Sequence, residues 1–219
     1  MITPGDKIVI AGDSWGCGEW DFVNDIHAVS HLGLEKYFTD YGCEVYNLSR
    51  GASSNNDSVN QLSSDFVKTI NPDIVFWFQT DPIRDLRPYD KTLFPQTVSD
   101  LIEQQNDLIK KTYERLNALD IKIHCIGGTV KLSPSIINYP NLNLFIDSVI
   151  EFFGGTAPEF WISEWIQCDD LISTDFLDEL YTMTMYDPSK TLPKEWFYPD
   201  GFHPNRFAHQ KIFEYILKC

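Results

Sequence analysis

The sequence predicts an α/β domain with a parallel sheet, and two observations carry this prediction. Short apolar runs bounded by Gly, Asp or polar residues alternate with longer segments whose apolar residues recur at helical spacing. No break in composition, internal repeat or low-complexity tract interrupts the alternation, so residues 1–219 are expected to form one domain. The four predicted strands cover residues 8–11, 44–48, 73–78 and 121–126.

Each predicted strand has its own signal. The first run ends in Gly-Asp-Ser, and the second is short and leads into a polar segment of small residues. The third, from Ile74 to Phe78, contains no polar residue, which is typical of a central strand buried on both faces. Gly127 and Gly128 end the fourth.

Helices are predicted between these strands and after the last one, from apolar residues three or four positions apart. Gly42 is expected to end the first helix, and Pro72 to close the second. Beyond residue 128 the pattern weakens, so the segment at about 129–199 is expected to be a less regular part of the same domain. The predicted helices cover about 31–41, 59–70, 97–119 and 171–186, residues 188–199 form an irregular loop, and a last helix starts near 205.

Composition excludes several classes of partner. The 32 acidic residues outnumber the 17 basic ones, and a net charge of −15 disfavours binding to nucleic acid or to an anionic membrane surface. No apolar run approaches the roughly 20 residues that span a bilayer. Five dispersed cysteines show no metal-ligand spacing, which favours free thiols and predicts neither a metal nor a cofactor. Without a signal-peptide pattern, a cytoplasmic protein, or a virion component made there, is expected.

Polar side chains follow the predicted strands at one edge of the sheet. Ser14 follows the first strand, the junction at Gly51 the second, and residues 79–84 the third. Asp200 and His203 lie three positions apart before the last helix. A serine becomes a nucleophile when a histidine held by a carboxylate takes its proton. Ser14 alone would be a helix-capping turn residue, but the ordered set favours a catalytic triad.

These residues resemble a known family. Gly12-Asp13-Ser14, Gly51 and the segment from Asp200 to Pro204 look like blocks one, two and five of the SGNH/GDSL hydrolases. The resemblance implies a flavodoxin-like three-layer α/β/α sandwich with a mostly parallel sheet of about five strands. It also implies Ser14 as nucleophile, His203 as general base, Asp200 as its orienting partner, and an oxyanion hole from the Ser14 and Gly51 N–H groups. Members are mostly esterases, lipases and carbohydrate deacetylases that need no metal.

Block three departs from the family pattern of Gly-x-Asn-Asp. The aligned residues run from Phe78 to Asp81 and place Thr80 where the family has the Asn that donates to the oxyanion. Losing one such donor typically costs about a hundred- to a thousand-fold in rate. Three alternatives stay open: Thr80, Gln79 or Asn55 replaces the Asn, the enzyme is slow, or it is inactive.

The segment from Gly12 to Gly16 also fits the G-x-S-x-G elbow of the α/β-hydrolases. That elbow normally lies well inside the chain, so we do not expect the α/β-hydrolase fold.

The resemblance to the SGNH/GDSL hydrolases leads us to expect a serine esterase that acts on a small-molecule or glycan ester, with O-acyl groups of a carbohydrate as the favoured substrates. A non-catalytic binding module that kept the fold is the alternative, and acyl transfer to another alcohol is a third. Trp15, Trp20 and Trp196 are candidates for stacking on a sugar. The sequence predicts no oligomeric state.

Overall fold

A parallel sheet of five strands forms the centre of the protein in a computed structural model, which describes residues 1–80, 98–128, 130–132, 137, 143–157, 194–197, 200 and 203–219. The strands of this sheet are β1 (Lys7–Ala11), β4 (Glu44–Asn47), β5 (Ile74–Gln79), β6 (Lys122–Gly127) and β7 (Asn143–Ile146). A separate hairpin consists of β2 (Glu19–Val23) and β3 (Ile26–His31). The described helices are α1 (Ser14–Cys17), α2 (Gly33–Tyr41), α3 (Asn55–Ser63), α4 (Asp65–Ile70), α5 (Val98–Ala118), α6 (Val149–Phe152), α7 (Lys194–Phe197) and α8 (Arg206–Ile216).

The strand order of the large sheet is β4-β1-β5-β6-β7, and every neighbouring pair is parallel. Numbered within this sheet alone, the order is 2-1-3-4-5, which is the flavodoxin-like order. The predicted fold class is therefore confirmed. In such sheets ligands bind outside the carboxyl ends of the strands, where the strand order reverses.

Helices cover both faces of the sheet. On one face α2 and α8 pack against the sheet around Phe38, Phe76 and Ile212. On the other face α3, α4 and α5 pack around a second cluster that includes Trp77 and Tyr113. Because successive residues of a strand point to opposite faces, the fully buried β5 contributes to both clusters. The prediction of a central strand buried on both sides is confirmed.

The observed elements differ from the predicted ones in three places. The predicted helix over 59–70 is two helices, because Ser64 adopts an extended conformation (φ −66°, ψ 154°) and its hydroxyl caps α4 at Val67 N. The first large helix begins at Gly33 and not near His31, since His31 ends strand β3. The hairpin of β2 and β3 was not predicted.

Other predictions fall on parts of the chain that the structure does not describe. The helix over 171–186 and most of the loop over 188–199 lie outside the described residues, so the single-domain assignment of residues 1–219 stays a prediction. Within the segment expected to be less regular, β7, α6 and α7 are described. No helix in the described ranges is both long and apolar enough to cross a bilayer.

Candidate active site

Ser14 begins α1, directly beyond the carboxyl end of the first strand. Asp13 caps this short helix, since its Oδ1 accepts a hydrogen bond from Trp15 N at 2.9 Å. Gly12 makes the turn that leads there: its φ is +146°, and a Cβ on it would lie 2.6 Å from Phe78 Cβ. Only glycine fits both the backbone angle and the close approach to β5. The local sequence therefore fixes where the Ser14 hydroxyl lies.

Ser14, His203 and Asp200 form a chain of hydrogen bonds. Ser14 Oγ lies 2.8 Å from His203 Nε2, and His203 Nδ1 lies 2.6 Å from Asp200 Oδ2. The second carboxylate oxygen, Oδ1, accepts the backbone N–H of His203 at 2.9 Å. Because an ionised carboxylate can only accept, the imidazole proton belongs on Nδ1, which leaves Nε2 free to accept from the serine hydroxyl. This is the arrangement that activates a serine nucleophile.

The segment that carries His203 is fastened to the start of α8. Asn205 caps this helix, because its Oδ1 accepts from Ala208 N at 2.9 Å. Its backbone N–H donates to Trp196 O at 2.8 Å, and its Nδ2 donates to Glu195 O at 2.7 Å. One asparagine thus holds the histidine loop both to α8 and to α7.

The hairpin supplies contacts at both ends of the hydrogen-bonded chain. Trp20 Nε1 donates to the carbonyl of Ser14 at 2.8 Å, and the Trp20 ring lies 5.3 Å from the His203 ring between centroids. His27 Nε2 lies 3.0 Å from Asp200 Oδ2, the oxygen that also contacts His203. Sequence reasoning missed His27 as a neighbour of this site.

An ion pair fastens the hairpin to α8. Both carboxylate oxygens of Glu19 contact Arg206: Oε1 accepts from the guanidinium Nε at 3.0 Å, and Oε2 accepts from the backbone N–H at 2.6 Å. Ser30 Oγ donates to Oε1 at 3.0 Å. Burial opposes ionisation of Glu19, but the hydrogen bonds from Arg206 and Ser30 outweigh it and hold the pKa of this carboxyl below its usual value. The hairpin therefore docks through a charged anchor.

Gly51 lies in the loop that follows β4, and this loop contacts the serine turn. The N–H of the preceding Arg50 donates to Gly12 O at 3.1 Å, which ties the two strand-end loops together. A Cβ on Gly51 would lie 3.2 Å from the Trp20 ring, so the position is lined by the residue that contacts Ser14.

Hydrogen bonds between Asn55 and Thr80 distinguish these two candidates for the oxyanion donor. Asn55 Oδ1 accepts from Thr80 N at 3.0 Å, and Asn55 Nδ2 donates to Thr80 O at 2.8 Å and to Gln105 Oε1 at 3.3 Å. Both amide hydrogens of Asn55 are thus engaged, which disfavours Asn55 as an oxyanion donor. The buried hydroxyl of Thr80, in contrast, has no hydrogen-bond partner within the described chain.

Gln79 is placed differently from Thr80. It is the last residue of β5, and its Nε2 donates to Cys125 Sγ at 3.4 Å, on the face of the sheet that packs against α3, α4 and α5. Its amide is therefore drawn toward the opposite face from Trp15, which follows Ser14. Of the three candidates, Thr80 has the side chain that the structure leaves uncommitted.

The remaining candidates from the sequence are Cys17 and three tryptophans, and the structure shows how each is surrounded. Burial raises the pKa of the Cys17 thiol to about 12, so this cysteine is protonated at neutral pH. Trp15 is fully buried in the core, and the prediction that it stacks on a sugar is wrong. Trp196 stacks on Phe153 with ring centroids 4.7 Å apart, and Trp20 is half-buried at the site.

Comparisons with known proteins identify the fold. No model of a protein family matches the sequence, and no curated protein matches it either. Among solved structures, a catalytic mutant of Axe2, an acetylxylan esterase from Geobacillus stearothermophilus, matches 99% of this chain and 94% of that chain with a TM-score of 0.50 and 12% identity. The two chains share a fold.

A second solved structure matches over a similar extent. The psychrotrophic esterase EstA from Pseudoalteromonas sp. is covered over 95% of its chain by 97% of this one, with a TM-score of 0.46 and 13% identity.

Proposed function

We propose that this protein is a serine hydrolase of the SGNH/GDSL type that cleaves carboxylic esters, with O-acyl groups on a carbohydrate as its substrate class. The observation that carries the proposal is the chain from Ser14 Oγ through His203 to Asp200, with distances of 2.8 Å and 2.6 Å. The fold shared with an acetylxylan esterase supports the carbohydrate part.

In the proposed mechanism Ser14 Oγ attacks the acyl carbon while its proton passes to His203 Nε2. The negative charge that develops on the carbonyl oxygen receives hydrogen bonds from the N–H groups of Ser14 and Gly51 and from the Thr80 hydroxyl. The ester bond then breaks, and Nε2 returns the proton to the leaving alcohol. Water repeats these steps on the acyl-enzyme, which releases the acid and restores Ser14.

Asp200 has an orienting role in this mechanism. Its two oxygens bind the ring Nδ1 and the backbone N–H of His203, so the imidazole is held in the tautomer and rotation that a base needs. The carboxylate also stabilises the imidazolium that forms when Nε2 takes the proton. These residues supply nucleophile, base and oxyanion donors without a cofactor.

The test combines turnover with active-site labelling. Wild-type protein is expected to hydrolyse p-nitrophenyl acetate and to be labelled by a fluorophosphonate, and Ser14→Ala should lose both. Ser49→Ala is the matched control, because Ser49 is a nearby serine with a buried hydroxyl that has no partner in the described chain. Labelling of the Ser14→Ala protein, or equal turnover in both variants, would contradict the proposed nucleophile.

The carbohydrate part needs its own measurement. Acetate release from an acetylated xylo-oligosaccharide is expected at a higher kcat/KM than release from p-nitrophenyl acetate. Hydrolysis of the aryl ester without deacetylation of the sugar would overturn the substrate class and leave the esterase proposal standing.

A binding module without catalysis is the second candidate, and the replacement of the family Asn by Thr80 is the observation that favours it. This candidate predicts that acetylated oligosaccharide binds equally to the wild type and to Ser14→Ala while no acetate appears. The third option, acyl transfer, predicts that an added alcohol takes up the acyl group in place of water.

A further inference from the structure

A cluster of two imidazoles and one carboxylate lies on the side of His203 that faces away from Ser14. His27, Asp200 and His203 each offer one ligand atom, and these three atoms all lie within 4.8 Å of one another. They come from different elements, since His27 belongs to β3 and the other two precede α8. Two histidines and one aspartate form a set of donor atoms that metalloproteins use.

Two contacts of the cluster can be compared with the spacing of ligands around a tetrahedral ion. Metal–ligand bonds of about 2.0–2.2 Å place neighbouring ligand atoms roughly 3.3 Å apart. Asp200 Oδ2 lies 3.0 Å from His27 Nε2 and 2.6 Å from His203 Nδ1, so each contact would need to lengthen by less than about 1 Å to admit an ion. Oδ1 of the same carboxylate is held by the backbone N–H of His203, which keeps Oδ2 directed at both rings.

The cluster is also accessible and pre-arranged. The side chain of His27 is 38% exposed while that of Asp200 is 2% exposed, so an ion could reach the cluster from the hairpin side. Phe22 stacks on the His27 ring with centroids 4.7 Å apart, and Trp20 lies 5.1 Å away, which limits the rotation of the imidazole. The net charge of −15 raises the local concentration of cations around the protein.

We propose that His27, Asp200 and His203 bind a divalent transition-metal ion of the Zn²⁺ class, and that this ion switches off the esterase. Imidazole nitrogens with one carboxylate favour Zn²⁺ and its neighbours, whereas Mg²⁺ and Ca²⁺ prefer sites made only of oxygen. Three protein ligands leave one position for water.

Inhibition follows from which nitrogen of His203 the ion occupies. To bind the metal, Nδ1 loses its proton to water, and the neutral ring takes a proton at Nε2 instead. A protonated Nε2 cannot accept the proton of Ser14, although it lies 2.8 Å from Oγ. Asp200 is at the same time withdrawn from its orienting contact. This regulatory step rests on the proposed function, whereas the metal site itself does not.

Binding is measured first, without reference to activity. We expect metal-free protein to bind one Zn²⁺ per chain in calorimetry and to develop the visible bands of tetrahedral Co²⁺. His27→Ala and His27→Gln should each weaken Zn²⁺ binding by at least about tenfold. Even the loss of a residue that only hydrogen-bonds a metal ligand typically lowers metal affinity by about tenfold to a hundredfold. His27→Gln keeps an amide beside Asp200 and so separates the lost ligand from a lost hydrogen bond. His31→Asn, on the same strand but outside the cluster, is the control and should bind as the wild type does.

Activity is measured second, with each variant compared with its own metal-free rate. Zn²⁺ should abolish hydrolysis of p-nitrophenyl acetate by the wild type and by His31→Asn, and a chelator should restore it. The His27 variants should require at least tenfold more Zn²⁺ for the same inhibition. Absent Zn²⁺ binding, or binding unchanged in both His27 variants, would overturn the site. Binding without inhibition would overturn the switch. If the metal-free wild type shows no esterase activity, the proposed function and the switch fail, and the binding measurements alone decide on the metal site.

Discussion

Replacing Thr80 with Val should separate catalysis from stability. The two side chains have nearly the same shape, so the substitution removes a hydroxyl and little else. The side-chain amide of Asn55 hydrogen-bonds both backbone groups of Thr80, the N–H at 3.0 Å and the carbonyl at 2.8 Å. Neither hydrogen bond involves the side chain of Thr80. The backbone of Thr80 is therefore expected to keep its position in the variant.

The two expected effects have opposite signs. If the hydroxyl donates to the oxyanion, its loss should lower kcat by about 10²- to 10³-fold, or about 2.7–4 kcal/mol of transition-state stabilisation. In the folded protein the same hydroxyl is buried without a partner in the described chain, which costs on the order of 1 kcal/mol or more. Thr80→Val should therefore leave the free energy of unfolding unchanged or raise it by about 1 kcal/mol.

Initial rates of p-nitrophenyl acetate hydrolysis and urea unfolding of the same samples test both effects. Thr80→Ser keeps the donor and should retain most of the activity, while Thr112→Val, at a buried threonine on α5, controls for loss of a hydroxyl elsewhere. A wild-type kcat in Thr80→Val would refute the oxyanion role. A fall of kcat together with stability would make Thr80 a structural residue.

Three further predictions concern stability. Gly12→Ala should lower the free energy of unfolding by about 2–4 kcal/mol in urea titrations, because φ is +146° and the new Cβ would lie 2.6 Å from Phe78 Cβ; equal midpoints would contradict this account. Burial lowers the pKa of His209 to about 4, whereas the pKa in the unfolded chain is about 6.5. The contribution of neutral His209 to the free energy of unfolding is therefore complete above about pH 6.5 and falls by about 2 kcal/mol between pH 7.5 and pH 5. His209→Leu should flatten this slope in unfolding midpoints, and a slope unchanged from the wild type would count against it. The pKa of Glu19 is lowered in the folded protein, so its ionisation adds stability that is present above the unfolded pKa of about 4.3 and is lost as the pH falls through the folded pKa. Glu19→Gln, which weakens the contact to Arg206, should therefore lower the free energy of unfolding by about 1–2 kcal/mol at pH 7, and this cost should shrink as the pH falls through the folded pKa.

The central sheet could be predicted because burial dictates its sequence. Each strand of a parallel sheet is covered by helices on both faces, and the run from Ile74 to Phe78 therefore has no polar residue. Ser14, Asp200 and His203 could be selected as candidates from the sequence, because the proposed chemistry of a serine nucleophile requires those side-chain types. Their mutual distances depend on packing over long stretches of chain, which no local pattern contains.

The hairpin was missed although it carries a local signal. Asn24 and Asp25 both have positive φ, at 52° and 62°, as the tight turn of a two-residue hairpin requires. An Asn-Asp pair between Val23 and Ile26 is compatible with this turn, but the strands are largely exposed, and β3 lacks the apolar alternation that a half-buried strand shows. The contact between His27 and Asp200 depends on how the hairpin docks, so it could not be predicted from either segment alone.

Local unfolding of the same hairpin is expected to disrupt the candidate active site. In the described chain β2 and β3 pair only with each other, and an isolated two-stranded sheet is marginally stable in water. Its order is therefore supplied by Trp20, Glu19 and His27, the residues that contact Ser14, Arg206 and Asp200. Amide hydrogens of the hairpin should exchange together with those around the triad, as members of one cooperative segment. Covalent occupation of Ser14 would then slow exchange in β3, a strand that contributes no group to the proposed chemistry.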